Sequence, residues 1–177
     1  MRAIGLDFSI VPADVDESLR PGEKAIEYVE RVARDKAMAV VGKLGLGATG
    51  DLVVLAADTT VDVDGEILAK PEDDDDARRM LRLLSGRTHQ VHTAVVVWRI
   101  SGLQNATVTT DVTFVDLDEA MLEWYIATGE HLDKAGAYGM QGAAGALVER
   151  VDGSPSNVIG LPLAETVALL RRCGVRF

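Results

Sequence analysis

Two stretches constrain this chain more than any others. Residues 88 to 99 read THQVHTAVVVWR, and residues 106 to 117 read ATVTTDVTFVDL. Both are rich in Val and Thr and alternate in polarity, which suits a strand and does not suit a 3.6-residue helical period. A turn at Gly102 joins them. A long strand pair is therefore expected, and the remaining segments must cover it.

Residues 6 to 11, LDFSIV, alternate enough for a further strand. Residues 23 to 41 read as a helix, with a stripe of Ile26, Val29, Val32, Ala33, Lys36 and Val40 at steps of three and four. Residues 52 to 57 are a continuous apolar run, as in a strand covered on both faces. Asp64–Gly65 is a turn pair suited to positive φ, which predicts a hairpin over residues 61 to 68. Pro71 and the acidic run after it open a helix that continues to Leu84 and closes at Ser85–Gly86. A third helix spans residues 118 to 128 with Asp118 as its cap. A strand over 144 to 151 turns at Asp152–Gly153, and a last helix spans 162 to 172. Residues 43 to 51, KLGLGATGD, are a glycine-rich candidate for disorder. Strands in pairs with helices between them predict an α/β or α+β sheet with some antiparallel pairing. The length of 177 residues suits one domain.

Apolar residues make up 47% and charged residues 26%, the balance of a soluble globular protein. No apolar stretch approaches the ~20 residues of a membrane span. The N-terminus lacks a signal pattern, so a cytoplasmic location is expected. The formal net charge of −10 argues against a nucleic-acid polymer or an anionic membrane as partner. A few Lys and Arg side chains gathered in one cleft still suffice for a small phosphate ligand. Cys173 is the only cysteine, which excludes an intramolecular disulfide, and its apolar neighbours mark it as a buried, inert thiol.

The four aspartates at 73 to 76 read as a solvated helix start. Carboxylates complement the helix dipole there, and consecutive side chains diverge by about 100°. His89 and His92 are three apart, on opposite faces of a strand. Asp62–Val63–Asp64–Gly65 fails as a calcium loop, because Thr60 and Pro71 stand where acidic residues are needed. Asp58 differs from these. It ends an apolar run, and at the carboxyl end of a buried strand a carboxylate needs a cation, a donor or a proton. The competing reading is a structural cap on a Thr59–Thr60 turn.

Lys36 interrupts an apolar helix face, either as a snorkelling side chain or as a fixed positive charge for an anion. Lys70 projects from a strand end just before Pro71. Two lysines and one aspartate can hold a phosphate together with Mg²⁺, which keeps most of its waters and takes one or two carboxylates. Glu17 is a second metal ligand or a loop carboxylate. Gln141 lies between glycines that let backbone approach a ligand, and its amide suits a sugar or base edge; a plain turn is the alternative.

These residues, in this order, resemble the Maf family of nucleoside triphosphate pyrophosphatases. The stretches that carry the resemblance are DVDE (14–17), VARDKA (32–37), AADTTV (56–61), GEILAKP (65–71), MLRLLSGRTHQVHTAV (80–95), TDVTF (110–114), DKAGAYGMQG (133–142) and GLPLAET (160–166). The resemblance implies a single Maf-like domain over 1–177. Its fold would be α/β, an elongated mixed sheet flanked by helices, as in inosine triphosphatases, with two lobes around a cleft and assembly as a homodimer. The implied reaction is hydrolysis of a nucleoside triphosphate to the monophosphate and pyrophosphate. The form of DKAGAYGMQG with SGRTH is similar to the branch acting on dTTP and UTP.

By matching motif positions, Asp58 would be the catalytic carboxylate, assisted by Glu17, and both would hold a divalent metal, Mg²⁺ or Mn²⁺. Lys36 and Lys70 would hold phosphates, and Gln141 would contact substrate. The family is also associated with septum formation, so a nucleotide-binding or division-regulating protein without turnover is the alternative reading.

The resemblance departs at the start. Family members begin with a strand that runs into a Ser-x-Ser-Pro-Arg-Arg motif and a helix. Here Met1–Arg2–Ala3–Ile4–Gly5–Leu6 resembles the end of that helix. The expectations are a true start upstream, which the intact later motifs favour, or an inactive truncated form. Arg87, Arg20 and Arg34 are the candidates to replace the missing arginines, with Arg87 as the substrate contact. The sheet is expected to lose a strand and to show an unpaired edge.

Overall fold

The structure is a computed structural model that describes residues 1, 4–45 and 52–177. The first helix, α1, is Ala25–Lys43. It is followed by strands β1 (Val54–Val63) and β2 (Glu66–Leu68), helix α2 (Asp74–Leu84), and the long strands β3 (Thr88–Arg99) and β4 (Gly102–Phe114). Helix α3 (Glu119–Ala127) leads through two 3₁₀ turns, at Ala135–Ala137 and Ala143–Ala146, to β5 (Val148–Asp152). Helices α4 (Pro155–Val158) and α5 (Leu163–Arg172) complete the chain. Among the described residues no helix is long and apolar enough to cross a membrane.

The fold is mixed α/β, and the sheet order is β2-β1-β3-β4-β5. Every pairing in it is antiparallel, so the parallel component of a mixed sheet is not found among the described residues. The expected long pair is its backbone: β3 runs against β4 from Thr88–Thr113 to Arg99–Gly102. The β1–β2 hairpin turns at Asp64 and Gly65, both at positive φ, and Asp62 Oδ1 accepts the Gly65 N–H at 2.8 Å. Because β2 covers only Val61–Val63, the segment 54–60 of β1 has no strand on its outer side among the described residues.

Alternation divides the core. Val54, Ala94 and Val96 face α1 and pack against Val29, Val32, Ala33 and Ala37. On the other face, Val95 and Val97 meet Leu169, Leu170 and Cys173 of α5 and its cap. Further along that face, Val61, Val91, Val112 and Phe114 pack under α2, α3 and the 3₁₀ turns. His89 and His92 lie on opposite faces as expected. His89 contacts Tyr138 Oη at 2.8 Å, and His92 contacts Thr109 Oγ1 at 2.8 Å.

The four aspartates do diverge. Asp73 caps α2 through the Asp76 N–H, Asp74 meets His131, Asp75 pairs with Arg78, and Asp76 with Arg79.

Several segments differ from expectation. Residues 6 to 11 form no strand, because among the described residues no strand lies beside them to complete a ladder. β1 does not stop at Asp58. It continues through the β-branched Thr59, Thr60 and Val61, which find partners in Thr93, His92 and Val91, so there is no Thr59–Thr60 turn to cap. The small residues 143 to 146 form a 3₁₀ turn, and β5 starts only at Val148. Of the glycine-rich segment 43 to 51, residues 46–51 lie outside the described residues, as do Arg2 and Ala3 of the N-terminal stretch compared with a helix end.

Candidate active site

A cavity of about 710 Å³ opens beside β1, within the range of small-ligand sites. Ala57 to Val61, Lys36 and Tyr28 of α1, Glu17, Lys70, and residues of the 130–142 segment line it. Asp58, Glu17, Lys36, Lys70 and Gln141, all singled out from the sequence, therefore share one opening.

Asp58 sits in mid-strand, not at a strand end. Its neighbour across the ladder is Ala94, which is buried beneath α1, so the Asp58 carboxylate points to the same face. Lys36 lies one turn beyond Val32 and Ala33 and one turn before Val40, on the side of α1 that covers the sheet. The two meet: Lys36 Nζ donates to Asp58 Oδ1 at 2.7 Å. Lys36 Nζ also lies 2.8 Å from Glu17 Oε1. One ammonium thus bridges two carboxylates from segments distant in sequence. Asp58 Oδ2 is buried and has no hydrogen-bond partner among the described residues.

The electrostatics follow from this packing. Asp58 is only 8% exposed. Burial raises its carboxyl above the ordinary value, Lys36 and Lys70 oppose that rise, and Glu17 adds to it. Burial also works against the charge on Lys36. The hydrogen bonds it donates to Asp58 and Glu17, with their negative charge, outweigh this and raise the ammonium above its ordinary value. Lys36 is therefore held in its charged form, and only one of the two Asp58 carboxyl oxygens has a partner among the described residues.

Lys70 and Lys134 are exposed in the same cavity and have no ion-pair partner among the described residues. They are its uncommitted positive charges. Gln141 sits beside Gly142, where an added Cβ would lie 2.0 Å from Glu130 Oε2. That close approach lets Glu130 accept the Ala143 N–H at 2.7 Å and tie the glycine-rich segment down. Thr59 also lines the cavity. Thr93 Oγ1 donates to the Asn157 carbonyl at 3.1 Å, so in its 2.8 Å contact with Thr59 the hydrogen must come from Thr59. Thr59 is left with only lone pairs to offer.

Arg87 is not among the lining residues. Its guanidinium pairs with Asp64 in the hairpin turn and donates to the Leu83 carbonyl at 3.2 Å. The structure therefore gives no support to Arg87 as a substrate contact. Arg20 and Arg34 do not line the cavity either. Sequence reasoning gave no role to Tyr28, Thr59, Glu130 or Lys134. The available signal for Lys134 was its place within Asp133–Lys134, directly before the glycine-rich stretch that holds Gln141.

Among the described residues no group of three His, Cys, Asp or Glu side chains is placed to hold a metal ion. Asp58 and Glu17 make a pair, which is the number of carboxylates Mg²⁺ commonly takes. The unpartnered, buried Asp58 Oδ2 fits such an ion: it is an anionic oxygen atom without a donor.

Comparison with known proteins gives the family. The family model described as Maf-like protein matches residues 1–173. A dTTP/UTP pyrophosphatase of Anaeromyxobacter dehalogenans (strain 2CP-1 / ATCC BAA-258) is 57% identical over 175 residues, covering 97% of this chain and 86% of the relative. Those of Chromobacterium violaceum and Hahella chejuensis are 52% and 51% identical, over 98% of this chain in each case and 88% and 85% of the relatives. With a match that spans nearly the whole sequence, the chain belongs to the Maf-like protein family.

Proposed function

We propose that this protein is a nucleoside triphosphate pyrophosphatase that hydrolyses dTTP and UTP to the monophosphate and pyrophosphate. The observation that carries the reading is the Glu17–Lys36–Asp58 cluster, with one orphaned carboxylate oxygen, at the wall of a nucleotide-sized cavity. Kinship with relatives named dTTP/UTP pyrophosphatase supports the substrate.

A triphosphate repels an incoming nucleophile. Lys70 and Lys134 neutralise its charge, most usefully as charge builds on the departing pyrophosphate. Lys36 holds Asp58 and Glu17 in place and offsets their charge near the phosphates. The Asp58 carboxylate orients, and takes the proton of, a water whose oxygen adds to the α-phosphorus. The α–β P–O bond breaks, and pyrophosphate leaves with the electron pair. A carboxyl raised by burial is a better base than an exposed one. A divalent cation, Mg²⁺ or Mn²⁺, held by Asp58 and Glu17, would supply further charge neutralisation and polarise the water.

Base choice follows from hydrogen-bond polarity. Thymine and uracil both carry an N3–H donor, which cytosine lacks, and the lone pairs of Thr59 suit that donor. Gln141 contacts the substrate from the opposite segment. The same reading carries a homodimer in the cytoplasm and an elongated, two-lobed outline with the cavity as its cleft. Sedimentation velocity reads the oligomer directly. The experiment for the activity is pyrophosphate release from dTTP, UTP and CTP with Mg²⁺. Release from the first two, lost by ~10²–10⁴-fold in Asp58→Asn, supports the proposal. An Asp58→Asn variant as active as the wild type would refute it.

A further inference from the structure

Glu17 lies in a loop without helix or strand, yet its carboxylate is placed on Lys36. Two side chains of α1 account for this. Arg31 donates to the Asp16 carbonyl (3.3 Å) and to the Ser18 carbonyl (3.0 Å), and Tyr28 Oη donates to the Glu17 carbonyl between them (2.9 Å). Three consecutive loop carbonyls are thus held from one helix, the helix that also carries Lys36. The clamp is itself fixed. Glu23 grips the Arg31 guanidinium through both carboxylate oxygens, at 2.6 and 2.8 Å, and the Arg31 guanidinium carbon stands 5.5 Å from the Tyr28 ring centroid. Arg31 is mostly buried but does not line the cavity. An ordinary Arg–Glu pair would need only Glu23. The carbonyl contacts on either side of Glu17 are what such a pair does not explain.

We infer that Arg31 is a positioning residue, which together with Tyr28 sets the Glu17 carboxylate against Lys36 and Asp58 for the divalent cation and substrate. The inference rests on the proposed role of Glu17 as a metal ligand. Loss of an outer partner of a metal ligand costs ~10–100-fold in affinity or activity.

The test is Mn²⁺ binding to the full chain, measured by calorimetry for wild type, Arg31→Gln, Glu17→Gln and the double variant, with a thermal melt of each. The expected result is a ~10-fold weaker affinity in each single variant, and a double variant no weaker than Glu17→Gln alone. Wild-type affinity in Arg31→Gln, or losses that multiply in the double variant, would overturn the inference while leaving the role of Glu17 intact. Wild-type affinity in Glu17→Gln, or no Mn²⁺ binding by the wild type, would overturn both. Should the melt show Arg31→Gln unfolded, Tyr28→Phe, which removes one hydroxyl, replaces it in the same cycle with the same outcomes.

Discussion

Lys36 Nζ lies 2.7 Å from Asp58 Oδ1 across 22 positions of sequence, and the pair faces a cavity with the other Asp58 oxygen unpartnered among the described residues. Removing the lysine leaves a carboxylate with burial uncompensated. In Lys36→Gln the Asp58 carboxyl should rise further, since Lys36 is the main group that opposes the rise. Asp58 acts as a base only above its folded-state pKa. The acid limb of the pH–rate profile for pyrophosphate release should therefore move to higher pH in Lys36→Gln. Urea unfolding should show a loss of about 3 kcal/mol, the low end for breaking a buried pair from one side.

Lys70 and Lys134 should act on substrate capture. Lys70→Ala and Lys134→Ala are each expected to raise KM for UTP and to weaken its dependence on ionic strength, because each removes an exposed charge that salt screens. Initial rates at low and high salt, fitted for KM, check this. Unchanged KM in both variants would contradict the assignment of the free ammonium groups to the phosphates.

Arg87→Ala should leave KM and kcat for UTP as in the wild type. Its guanidinium is spent on Asp64 and the Leu83 carbonyl, outside the cavity. Loss of that surface pair should cost no more than about 1 kcal/mol in urea unfolding. A raised KM would restore Arg87 as a substrate contact.

His89 should make the fold acid-sensitive in a defined window. It is 1% exposed, and burial pushes its pKa from 6.5 down to about 4. Between those values the unfolded chain binds a proton that the folded chain refuses. Stability should therefore fall as pH drops from 6.5 and level off below about 4, with a contribution from this group of ~3 kcal/mol at most. Urea midpoints at pH 7, 5.5 and 4, with His89→Gln showing a flatter decline, measure it.

Gly136→Ala should destabilise by about 1–3 kcal/mol. Gly136 has φ +69°, and a Cβ there would stand 2.8 Å from Val61 Cγ2. Val61 belongs to the strand that carries Asp58, so pyrophosphate release should fall along with the urea midpoint.

Local patterns were readable in this chain because local physics makes them. The strand over residues 88 to 99, the Asp64–Gly65 turn and the Asp73 cap of α2 each depend largely on neighbours within a few positions, and each came out as read. The motif residues Asp58, Glu17, Lys36, Lys70 and Gln141 could be named for the same reason. Whether they meet depends on strand register and on which face α1 covers. One residue of slip would turn Asp58 to the opposite face of the sheet. Arg87 shows the other side of this: its chemistry was visible, but the hairpin beside it took its charge. The sequence by itself determined which side chains carry charge and where most of the helices and strands lie, since those are largely short-range matters; the strands expected over 6 to 11 and from 144 failed where they did because a strand also needs a neighbour. Only the tertiary structure decided that Lys36 serves two carboxylates, that Lys70 and Lys134 have no ion-pair partner among the described residues, and that Arg31 and Tyr28 hold the Glu17 loop, because contacts between distant segments are set by packing.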